Sequence, residues 1–120
     1  MDEQTILTEL VPAVNSLKTL ALVALDMEDA HPLALPEPPE PDKVAAYERQ
    51  MTTIAQQVNP RHRALLTSSL QDYRSGFPDR AGIYLQELVT RFLQDAEYAS
   101  AFSPAGQKRL KALMADLKEV

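Results

Sequence analysis

Apolar side chains recur along this chain at alternating steps of three and four, the spacing that lines one face of an α-helix. From Glu3 to Glu28 the seam is Leu7, Leu10, Val14, Leu17, Ala21 and Ala24. Pro12 interrupts it, so either the main helix starts near Pro12 after a short lead-in, or a longer helix kinks there. Beyond Lys18 the pattern changes. Leu20 and Val23 fall opposite Leu10, Val14 and Ala21, leaving residues 20–25 apolar nearly all round. A helix of that kind is buried on more than one side, by its own chain or by a second subunit.

The second stretch, His31 to Asp42, holds five of the nine prolines. Each proline fixes its own φ and keeps the preceding residue out of the helical region, so an extended strap is expected. Leu33 and Leu35 alternate within it and can pin it to a body. The run contains PxxP, but acidic flanks suit an SH3-type ligand poorly.

Four further helices are expected. The first starts with Asp42 as N-cap and runs to about Val58, with Val44, Tyr47, Met51, Ile54 and Val58 as one stripe. Asn59-Pro60 opens the next, to about Ser75, with Leu66, Leu70 and Tyr73 inward and Gly76 ending it. Asp79 can cap a helix from about Arg80 to Tyr98, buried along Ala81, Leu85, Leu88, Val89, Phe92, Leu93 and Ala96. Ile83 points away from that face. Ser103-Pro104 starts the last helix, to about Lys118, buried through Leu110, Leu113, Met114 and Leu117.

With only three glycines and much Leu, Ala, Gln, Glu and Arg, the fold class expected is all-α. The organisation is a single domain: an N-terminal helix (1–29), a Pro-rich strap (30–42) and a four-helix body (43–120). Charge divides along the same line. Residues 1–42 carry nine acids against Lys18, and residues 43–120 carry eleven bases against eight acids. An acidic arm joined to a basic body is electrostatically self-complementary.

Candidate chemistry is sparse. The chain has no cysteine, which removes disulfides and thiolate ligands and suits a cytoplasmic location. Met1 is followed by Asp2 and Glu3, unlike a secretory leader, and no apolar run is long enough for a membrane span. His62 shares a stripe with Leu66, Ser69 and Tyr73, so a structural, hydrogen-bonded histidine is expected. No HExxH, glycine-rich phosphate loop or nucleophile elbow occurs, so no catalytic, metal or cofactor site is expected.

The rival to a protein-binding role is a helix-turn-helix-like nucleic-acid reader. It would use residues 60–75 and 79–98, joined by Ser75-Gly76-Phe77-Pro78, with Arg61, Arg63, Arg74, Arg80 and Arg91 nearby. Asp79, Glu87 and Asp95 would face phosphate poorly. The expectation is therefore a non-enzymatic protein–protein interaction module, an adaptor, regulator or inhibitor acting as a homodimer. Its expected contacts are Leu20, Val23, Leu33, Leu35 and Ile83.

Overall fold

Proline opens four of the helical segments. The computed structural model describes residues 1–30 and 38–120, with side chains at 1–20 and 38–120. Among them the chain is all-helical: α1 (Glu3–Ala30), α2 (Pro41–Gln57), a 3-10 turn (Pro60–His62), α3 (Arg63–Arg74), α4 (Pro78–Gln94), α5 (Ala96–Ala99) and α6 (Pro104–Lys118). Pro41, Pro60, Pro78 and Pro104 stand at first helical positions, where a missing N–H costs nothing and φ is preset.

This displaces two of the expected caps. Glu40, not Asp42, precedes the first residue of α2, and Phe77, not Asp79, precedes that of α4; neither supplies a side-chain cap bond. Asp42 and Asp79 lie in the first turns, where a carboxylate still suits the helix dipole. Asn59 and Ser103 do cap, accepting from the Arg61 and Gly106 N–H groups.

Two other boundaries differ. The segment expected as one helix to Tyr98 breaks at Asp95, whose backbone is extended, and resumes as the four-residue α5. Ala96 is exposed as a result, and Tyr98 turns inward. Pro12 neither starts nor ends a helix; α1 runs through it. The Thr8 carbonyl loses its usual partner there, and Thr8 and Pro12 both line a shallow groove between α1 and α6.

The core is one cluster drawn from every helix. α4 is its hub, packing on α1, α3, α5 and α6 and burying Ala81, Leu85, Leu88, Val89 and Phe92. α1 contributes Ile6, Leu7, Leu10, Ala13, Val14 and Leu17, a wider arc than the expected seam because α2, α4 and α6 all pack on it. Each fully buried aliphatic side chain contributes about 1.5–3 kcal/mol. Gly76, at φ 85°, ends α3: the Phe77 N–H bonds to the Asp72 carbonyl and the Gly76 N–H to the Tyr73 carbonyl.

Three polar contacts mark how α1 lies. The Asp2 N–H donates to Gln57 Oε1 (3.0 Å) at the end of α2. Glu3 Oε1 accepts from the Ser103 N–H (3.2 Å) and hydroxyl (2.8 Å) at the start of α6. Lys18 Nζ reaches Asp116 Oδ1 (3.3 Å) near the end of α6. α1 is thus antiparallel to α2 and parallel to α6.

Candidate functional site

The most developed polar site lies where the 3-10 turn meets the end of α4 and α5. Asn59 and Pro60 start the turn and bring His62 under α5, where Tyr98 arrives because the chain breaks at Asp95. His62 is only 9% exposed, as its stripe predicts. Its Nδ1 lies 2.5 Å from Tyr98 Oη, which also accepts the Asn59 N–H at 3.0 Å. The Tyr98 ring packs edge-on against Phe92.

The other imidazole nitrogen faces an open cleft of about 920 Å³ lined by Arg61, Leu65, Glu87, Arg91, Asp95 and Glu97 among others. Arg61 Nε–H points at His62 Nε2 from 3.3 Å, and the same guanidinium pairs with Glu97. For Nε2 to accept that bond it must be unprotonated, so the proton sits on Nδ1 and is donated to Tyr98 Oη. Arg91 pairs with Glu87 (2.7 Å) and lies 3.8 Å from Asp95.

Burial lowers the His62 pKa below its ordinary value, and the Arg61 charge pushes the same way. Asp95 opposes, Arg91 lowers it further, and Glu87 opposes more weakly. The neutral imidazole is favoured, with its Nε2 lone pair accepting from Arg61 Nε–H. Asp2, at the start of α1, has its carboxyl pKa lowered by the Thr5 hydroxyl and then the Gln4 N–H.

The residues singled out in sequence as contacts have separate settings. Leu20 is half-buried and packs against the core, because it lies only about 20° around the helix beyond buried Ala13. Its placement opposite the buried face is thereby corrected. Ile83 is 60% exposed on the outer side of α4. Val23 lies within α1 but outside the described side chains, and Leu33 and Leu35 lie outside the described residues.

The five arginines that raised a nucleic-acid role each have an intramolecular partner. Arg61 pairs with Glu97, Arg74 with Glu48 (2.9 Å) and Arg91 with Glu87. Arg63 Nε–H donates to the Ala55 carbonyl (2.9 Å), and Arg80 stacks 4.3 Å over the Phe77 ring. The outer side of α6 differs: Lys108, Arg109, Lys111, Ala112, Ala115 and Lys118 are all exposed. No helix among the described residues is long and apolar enough to cross a membrane.

The convergence of His62 with Asp95 and Glu97 was not legible in the sequence. Thirty-odd residues separate them, and only the break at Asp95 turns the two acids toward the histidine. No known protein family, curated protein or solved structure matches the chain.

Proposed function

We propose that the protein is a small non-enzymatic protein–protein interaction module whose partner is a second copy of this chain. The observation that carries the reading is the length of α1 relative to its neighbours. Lys18 meets Asp116, and α6 ends two residues later at Lys118, while α1 continues to Ala30. On the other flank Asp2 meets the end of α2, whose start lies about 24 Å back along its axis, level with residue 18 of α1.

About a dozen residues of α1 therefore run past the end of α6 and the start of α2. In sequence they are Ala21-Leu22-Val23-Ala24-Leu25 followed by Asp26, Glu28 and Asp29. An apolar run of this kind calls for a covering surface, and the acids call for bases. The Lys face of α6 offers them, with exposed Ala112 and Ala115 permitting close approach and lysine stems covering the apolar run.

Within one chain only the last lysine of that face, Lys118, comes near the acids. α1 is parallel to α6 and leaves at its C-terminal end, so Asp29 and Lys108 lie about 28 Å apart along the axes. In a two-fold dimer, the end of each α1 can lie on α6 of the other copy. The helix-turn-helix alternative has less support, because its arginines are already engaged within the chain. Light scattering at micromolar concentration tests the reading: a dimer of twice 13.4 kDa is expected, and a strict monomer rejects it.

A further inference from the structure

The polar cleft supports an inference independent of self-association. One nitrogen or oxygen from each of His62, Asp95 and Glu97 can be chosen so that all three lie within 4.8 Å of one another. His62 is buried and pinned: its Nδ1 bond to Tyr98 Oη orients the ring and leaves Nε2 as an acceptor, taken here by Arg61 Nε–H at 3.3 Å. That is how a metal-ligating imidazole is commonly held, with its second nitrogen bonded to a neighbouring oxygen. A positive charge already touches two of the three groups. The Arg61 guanidinium touches both His62 Nε2 and Glu97, yet its side chain is 61% exposed and can swing into solvent.

We propose that His62, Asp95 and Glu97 form a binding site for a divalent transition-metal ion such as Zn²⁺, and that the Arg61 guanidinium occupies the ion's position in the metal-free protein. One imidazole and two carboxylates match borderline ions better than Mg²⁺, which prefers oxygen ligands. Ligands at about 2.0–2.2 Å from one ion cannot be more than about 4.4 Å apart. The cluster must therefore tighten slightly, and Glu97, whose Oε2 accepts from Asn59 Nδ2–H (3.1 Å), closes the gap through its other oxygen once Arg61 leaves. Arg91 stays paired with Glu87 through Nη2, while its Nη1, 3.8 Å from Asp95, would share that carboxylate with the ion.

The experiment is calorimetric titration of the full chain with Zn²⁺, with Mg²⁺ as comparison, in the wild type, Arg61→Gln, Glu97→Gln and His62→Gln. One Zn²⁺ per chain is expected, with tighter binding in Arg61→Gln because the competing cation is gone. Glu97→Gln should weaken binding by about 10-fold or more, as even loss of an outer partner does. Glu97 is exposed, so its variant tests the site even if His62→Gln perturbs folding. No Zn²⁺ binding by the wild type at millimolar metal overturns the assignment. So does binding unchanged in both Glu97→Gln and His62→Gln, or an Arg61→Gln protein that binds no more tightly than wild type.

Discussion

Lys18 and Asp116, 98 residues apart in sequence, meet at 3.3 Å where α1 passes the end of α6. Both side chains are more than a third exposed, so the pair marks the register of the two helices without holding it. The register is held by Leu10, Val14 and Leu17, all fully buried. Lys18→Ala should therefore change stability by less than about 1 kcal/mol, whereas Leu17→Ala should cost about 2–5 kcal/mol. Urea unfolding of the two variants makes the comparison.

Ser69 Oγ is 2.9 Å from the Ala81 carbonyl and 2.6 Å from Tyr47 Oη. The serine has one proton, and a carbonyl can only accept, so Ser69 donates to Ala81 and Tyr47 donates to Ser69. This ties α2, α3 and α4 together beneath the stacked Tyr47 and Tyr73 rings, 4.1 Å apart. Tyr47→Phe should cost about 0.5–1.5 kcal/mol, since Ser69 keeps its bond to Ala81.

The same tyrosines set an alkaline limit. Burial raises the pKa of Tyr47 and of Tyr73 above 10.0, with the Ser69 bond opposing the rise at Tyr47 and Asp42 adding to it at Tyr73. The unfolded chain then loses these protons before the folded one does. The stabilisation is complete below pH 10 and is lost progressively as pH rises from there through the raised values of the folded state. Denaturant melts from pH 8 to 11 should show stability falling only at the upper end, less steeply in Tyr47→Phe; a flat profile contradicts the assignment.

Gly106 stands where Glu3 reaches the start of α6. A methyl group there meets the Glu3 carboxylate, the end of a flexible side chain that also accepts two bonds from Ser103. Gly→Ala in a helix ordinarily gains about 1 kcal/mol. Here the gain should be offset by eviction of Glu3, leaving Gly106→Ala near neutral. With Glu3→Ala already present, the same change should stabilise by about 0.5–1 kcal/mol. A double-mutant cycle by thermal unfolding separates the two.

The parts of the fold legible in sequence are those with a strong apolar period. The α2 stripe through Tyr47, Met51 and Ile54 is buried as its spacing indicates, and so are the Leu residues of α6. Periodicity alone did not place Gln50, a polar residue only 6% exposed on that same helix. Nor did it locate the break at Asp95, because apolar positions continue across it to Tyr98. The caps at Asp42 and Asp79 were misplaced because Pro41 and Pro78 each claim the first helical position, moving the cap two residues earlier. The cleft depended on that break, so His62, Asp95 and Glu97 carried no joint signal.

The most direct test of the central claim uses the absence of native cysteine. Proteins carrying Asp26→Cys and Lys111→Cys are mixed under mild oxidation and resolved without reductant. If the end of α1 lies on α6 of a second copy, the mixed disulfide should form faster than either self-disulfide, and high salt should slow it. A mixture that stays monomeric, or that couples only Asp26→Cys to itself, would contradict the account.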